Sequence, residues 1–103
     1  MSEMCMERDS IAEIGIDHSG RLYVVPSLKK FPYIYREAVQ VHWDEQGEFL
    51  YSPVPKEWTY LQWFVHIVEA AKLQSCQLYL TVNTKWCDVP TLLKDQILAK
   101  QYD

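Results

Sequence analysis

Thr59-Tyr-Leu-Gln-Trp-Phe-Val-His-Ile-Val-Glu-Ala-Ala-Lys-Leu-Gln74 is the stretch on which the fold turns. At about 100° per residue, Tyr60, Leu61, Phe64, Ile67, Val68 and Ala71 fall on one stripe, and Gln62, His66, Glu69 and Lys72 gather on the other side. That pattern predicts an amphipathic helix. Thr59 followed three residues later by Gln62 has the spacing of a capping box, in which the hydroxyl and the amide satisfy backbone donors left over at a helix start. Pro53 and Pro55 interrupt whatever strand precedes it, and no Gly or Pro breaks the run from Thr59 to Gln74.

Upstream the pattern changes to period two. Ile14 and Ile16 alternate with Gly15 and Asp17. After Asp17-His-Ser-Gly20 the run Arg21–Val25 is rich in strand formers and stops at Pro26, which predicts a β-hairpin. Asp17 opens the turn by bonding to the backbone, and Gly20 closes it where a positive φ is needed. Ser27 to Pro32 reads as a loop. From Tyr33 to Trp43 the odd positions Tyr33, Tyr35, Val39, Val41 and Trp43 are apolar, which predicts a long strand, although Tyr35–Ala38 would tolerate a helical turn. Asp44-Glu-Gln-Gly47 then turns the chain into Glu48–Ser52. Asp17, Gly20 and Pro26 recur as Asp44, Gly47 and Pro53, each displaced by 27 residues, an echo that common turn chemistry explains better than a duplication.

Downstream, Gln77–Val82 alternates with Leu78, Leu80 and Val82 inward and Tyr79 outward. Asn83–Pro90, including Trp86, reads as a loop, and Thr91 to Lys100 as a short helix with Leu92, Leu93, Ile97 and Leu98 on its apolar side. The expected fold class is therefore α+β, of order ββββαβα: a mostly antiparallel sheet of four to five strands with the amphipathic helix packed on one face. A flexible tail is expected over residues 1–10 and a single domain over residues 11–103.

Composition narrows the function classes. Apolar residues make up 49 % and charged residues 23 %, a globular balance. The formal charge of −4 is half located in the first ten residues, where Glu3, Glu7 and Asp9 stand against Arg8. Lys29-Lys30 is the only adjacent pair of cations, so the footprint of a nucleic-acid binder is missing. Cys5, Cys76 and Cys87 are odd in number and share no CxxC spacing; Cys76 and Cys87 are expected to pack as small apolar residues, with Cys5 a free thiol. The first ten residues lack the cationic start and apolar core of a signal peptide, and no apolar run approaches about 18 residues, so a cytoplasmic protein without membrane contact is expected.

No catalytic signature is present: no GxSxG, no glycine-rich phosphate loop, no HExxH. No cofactor or metal is expected, and an enzyme is the less favoured reading. The aromatics are the compositional oddity, since ten of the fourteen lie between Phe31 and Phe64. Several of them should reach the surface together, where Tyr and Trp anchor protein contacts. Tyr35, Arg36, His42, Trp58, Trp63 and Tyr79 are the candidate contacts, for a protein partner or a second copy of the chain. The rival is a small-molecule or cryptic enzymatic pocket between helix and sheet, with His42 and His66 as its polar groups.

Ile14-Gly-Ile-Asp-His-Ser-Gly-Arg-Leu-Tyr-Val, together with Phe31-Pro-Tyr-Ile-Tyr35, Val41-His-Trp-Asp44 and Glu57-Trp-Thr-Tyr-Leu-Gln-Trp-Phe64, resembles small bacterial accessory proteins. These are proteins encoded on mobile integron gene cassettes, or immunity proteins of toxin systems. The resemblance spans residues 11 to 82. It implies a compact α+β protein that works by binding and, for the immunity branch, a protein toxin as partner.

Overall fold

The computed structural model describes residues 7–101. Its elements are β1 (Glu7–Ile16), β2 (Leu22–Pro26), a single 3₁₀ turn (Ile34–Arg36), β3 (His42–Asp44), β4 (Phe49–Tyr51), α1 (Tyr60–Leu73), β5 (Cys76–Tyr79), β6 (Lys85–Cys87) and α2 (Thr91–Gln101). The fold is α+β, and the expected order is present with one further strand, β6, between β5 and α2.

The strands form one sheet in the order β3-β4-β2-β1-β5, with β6 also on β1. The pairings β1–β2, β2–β4 and β3–β4 are antiparallel, whereas β5 and β6 run parallel to β1. Parallel neighbours need a crossover, and α1 supplies it by carrying the chain from β4 over one face to the far side of β1. The helix starts as its sequence dictates. Thr59 Oγ1 accepts from Gln62 N–H at 3.2 Å and Gln62 Oε1 accepts from Thr59 N–H at 2.8 Å, so the capping box is complete. It ends without a glycine, because Ser75 takes φ +66° and turns the chain into β5. Phe64, Ile67, Val68 and Ala71 are buried with Ile14, Leu22, Val24, Leu50 and Leu78, which places the core between α1 and the sheet. Leu93 and Ile97 of α2 complete it.

β5 and β6 together form one interrupted strand along β1. The register of β1 against β2 shifts between Ile11 and Glu13, and there β5 stops. Thr84, itself buried, spans the break: its Oγ1 donates to Ile11 O at 2.7 Å and accepts from Thr81 N–H at 3.0 Å. Pairing resumes with Glu13 opposite Lys85.

Several expectations are corrected. Residues 1–6 of the expected tail, Cys5 among them, lie outside the described residues, but Glu7–Ser10 pair with Cys76–Tyr79 and belong to β1. The long strand over Tyr33–Trp43 is a 3₁₀ turn and a loop followed by three paired residues. Ile34 and Ala38, one helical turn apart, are buried there together with Val41, and Ala38 N–H bonds to Ile34 O at 3.3 Å. Val82, expected inward, is 99 % exposed at the break, and Leu92 is 70 % exposed because α2 turns Leu93 and Ile97 to the core. Cys76 is buried as expected, whereas Cys87 is exposed. The two turns of the echo differ in chemistry. Gly20 has φ +95°, but in the second turn the positive φ falls on Glu48, and Gly47 is required for space: a Cβ there would sit 2.7 Å from Phe49 Cδ2.

Candidate functional site

Between β4 and α1 the chain makes a strap over residues 53–58. Pro53 and Pro55 remove two backbone donors, so pairing cannot continue past Ser52, whose N–H donates to Leu22 O at 2.9 Å. The strap leaves the sheet at Ser52, which is buried, accepts from Leu22 N–H at 3.3 Å and donates to Pro53 O at 2.8 Å. It rejoins regular structure at Thr59. A groove of about 710 Å³ lies beside it. Val54 and Trp58 of the strap form one wall, Val39 and Gln40 of the loop before β3 the other, and Trp63 and His66 of α1 the base.

Three rings fix this base. Trp58 and Trp63 lie 4.8 Å apart, centroid to centroid. His66 stands edge-on to Trp58 at 5.1 Å and lies 5.7 Å from Trp63. On the far side of Trp58 is a second hollow of about 480 Å³, bounded by Leu61, Val65 and Glu69 and sharing Trp58 and His66 with the first. The wall opposite the strap is pinned. Glu37 N–H bonds to Ile34 O at 2.9 Å, Val41 N–H to Ala38 O at 3.4 Å, and the Glu37 carboxylate accepts from the Gln74 side chain at the end of α1. Gln40 completes that wall at φ +73°, unusual for a residue with a side chain.

The sheet face turned away from the helices carries a second feature. Alternation puts Tyr23, Phe49, Tyr51 and His42 on that face, opposite to Leu22, Val24 and Leu50. Their rings form a row, with His42–Tyr51 at 5.3 Å, Tyr51–Phe49 at 5.9 Å and Phe49–Tyr23 at 5.5 Å, and Arg21 lies 4.9 Å over Tyr51. Tyr23 ends the row by donating to Glu13 Oε2 at 2.6 Å. Burial, then the bond to Glu13 and the Cys87 thiol, push the phenol far above its ordinary range, so it stays protonated. In the adjoining turn, desolvation would raise Asp17. Hydrogen bonds from the Arg21 N–H, the Arg21 guanidinium and the Ser19 N–H outweigh it and hold the carboxyl below its ordinary value. Burial raises the Cys76 thiol, as does the neighbouring Asp9.

The structure scatters the candidate contacts. Tyr35 and Arg36 are exposed on the 3₁₀ turn, with the Arg36 guanidinium 4.8 Å over Tyr33. His42 belongs to the open face of the sheet. Tyr79, half-buried on β5, lies under Arg8 at 5.0 Å. Only Trp58 and Trp63 meet, and Trp63, expected at the surface, is 7 % exposed because Trp58 covers it. His42 and His66 are not brought together as the polar pair of one pocket: His66 lines the groove, whereas His42 packs on Tyr51. Sequence reading missed Val39 and Val54 as groove residues and Tyr23, Phe49 and Tyr51 as a row. For the row the signal was available in the alternation around Leu22 and Leu50; for Val39 it was hidden by the strand-like spacing of Tyr33–Trp43.

Among the described residues, no group of three or more His, Cys, Asp or Glu is placed to hold a metal ion, and no helix is long and apolar enough to cross a membrane. A family model described as Integron Cassette Protein Hfx_Cass5 matches residues 9–83. A solved structure, described as Integron Cassette Protein Hfx_Cass5 from the mobile metagenome of the North West Arm sewage outfall, is 43 % identical. The match covers 95 % of this chain and 99 % of that one, with a TM-score of 0.48. No curated protein matches.

Proposed function

The chain belongs to the Integron Cassette Protein Hfx_Cass5 family, and we propose that it is a small non-enzymatic binding protein whose groove seats an apolar side chain of a protein partner. One observation carries this reading. Val39, Val54 and Trp58 are 81 %, 46 % and 42 % exposed, come from two separate loops, and converge on a single groove with Trp63 at its base. Isolated exposed apolar residues are ordinary, but their convergence on a concavity with a tryptophan wall is the form of an anchor pocket. The partner acts in the cytoplasm in this reading, and the immunity branch of the resemblance makes it a protein toxin.

The test is native mass spectrometry of the protein captured from its host, wild type against Val39→Asp. Position 39 is exposed, so the charge should change stability by no more than about 0.5 kcal/mol. A stoichiometric protein partner present with the wild type and lost with the variant supports the reading; a partner retained by the variant overturns it.

The size of the groove favours a second reading. A volume near 710 Å³ lies within the range of about 300 to 1,000 Å³ typical of small-ligand sites. A small organic molecule would lie against Trp58 with His66 and Glu57 as polar neighbours. It would show in the same spectra as a small added mass, lost in Trp58→Ala.

A further inference from the structure

The two walls of the groove are built differently. The wall at Glu37–Gln40 is fixed by backbone bonds to Ile34 and by the bond between Glu37 and Gln74. The strap is not. Among the described residues, Val54, Pro55, Lys56, Glu57 and Trp58 make no hydrogen bond and no ion pair, and the only ring contacts of the strap are those of Trp58 with Trp63 and His66. Its two ends are firm: Ser52 is locked into the sheet, and Thr59 is locked into the helix cap. Apart from Val54, which lies against Gly20, the segment is held at its two ends and by one ring between them, and its Trp58 end opens when that ring lets go. Trp58 also has somewhere to go, because the second hollow begins on its other side and shares His66 with the first.

We propose that the strap over residues 53–58 is a lid on the groove, latched by the Trp58 indole against Trp63 and His66, and that it opens by turning the indole into the second hollow beside Leu61 and Val65. This rests on the groove being the binding site. In the latched state the strap narrows the groove between Val54 and Val39; in the open state the groove and the second hollow join, and a longer apolar group is admitted. Trp58 is a gate in this mechanism, and its loss speeds entry at the same time as it removes a contact.

Lys56 makes the lid measurable, since trypsin cleaves after lysine only where the backbone opens into an extended form. The experiment follows cleavage after Lys56 by mass spectrometry under native conditions, with cleavage after Lys72 in the last turn of α1 as the internal standard for opening outside the strap. Trp58→Ala and His66→Ala should each speed cleavage at Lys56, by about tenfold for Trp58→Ala, which loses both ring contacts, with Lys72 unchanged. Unchanged cleavage at Lys56 in Trp58→Ala, or a rise matched at Lys72, overturns the lid. The binding of 8-anilinonaphthalene-1-sulfonate by the same proteins separates the two readings. Faster uptake of the dye by Trp58→Ala, abolished by adding Val39→Asp, supports a lid over a binding groove. Accelerated proteolysis with dye uptake insensitive to Val39→Asp leaves the lid standing and removes the groove as the binding site.

Discussion

The Tyr23 ring lies across Gly15, its cross-strand partner, so closely that a Cβ on Gly15 would fall 2.5 Å from Tyr23 Cζ and 2.7 Å from Cε2. The ring cannot easily yield, since its hydroxyl is bonded to Glu13 and its edge is held by Phe49. Gly15→Ala should therefore cost about 1–3 kcal/mol, the usual penalty of overpacking. Urea denaturation checks this with a double-mutant cycle: in a Tyr23→Ala background the same change at Gly15 should cost little.

Trp58 and Trp63 touch, yet they should respond unequally to truncation. Trp63→Ala removes a buried indole and should cost about 3–5 kcal/mol. Trp58→Ala removes a ring exposed on the strap and should cost only the ring contacts, about 1 kcal/mol. Thermal unfolding of the two variants decides it. Equal losses would place Trp58 in the core and contradict its role in the groove.

Acid should weaken the first hairpin through Asp17. Its carboxyl sits below the ordinary 3.8 when folded, so the stabilisation it gives is complete above that pH and is lost as the pH falls through the folded value. Asp17→Asn should lower the thermal midpoint at neutral pH, and the gap to wild type should close as acid protonates Asp17. A gap that persists at pH 2 would mean that the charge is irrelevant and only geometry matters.

Thr84→Val leaves Ile11 O and Thr81 N–H without their partner at the junction of β5 and β6. The expected cost is about 1–3 kcal/mol. Hydrogen exchange should show the loss first at Lys85–Cys87, where β6 docks on β1; protection unchanged there would mean that β6 is held by Trp86 alone.

How far the chain could be read depended on whether its signals were local. The helix, its cap and its core stripe were legible, because Thr59, Gln62 and the stripe through Phe64 and Ile67 are all set within one segment, whereas the burial of Trp63 depends on Trp58 outside it. Asp17 and Gly20 likewise specified their turn. The region Tyr33–Trp43 was misread because apolar residues at odd positions mimic a strand, while Ile34 and Ala38, four apart and buried, were the informative pair. β6 was invisible, since Lys85-Trp-Cys87 has no period of its own and is a strand only because β1 offers it an edge. The groove was half legible. Trp58 stood out by composition, but its convergence with Val39 depends on where two loops meet, which no spacing within either loop records.

The position of β1 sets the order in which the molecule can be finished. Its Glu7–Ser10 end is synthesised well before the partners on that side, Cys76–Tyr79 and then Lys85–Cys87. The hairpin with β2 can close early on the other side. Until those two strands emerge from the ribosome, one flank of the central strand has open backbone groups, and pairings this distant in sequence are slow to form. A second nascent chain nearby presents the same missing strands. An open flank is where strand exchange between chains begins, so the time that β1 waits for its late partners sets its exposure to exchange.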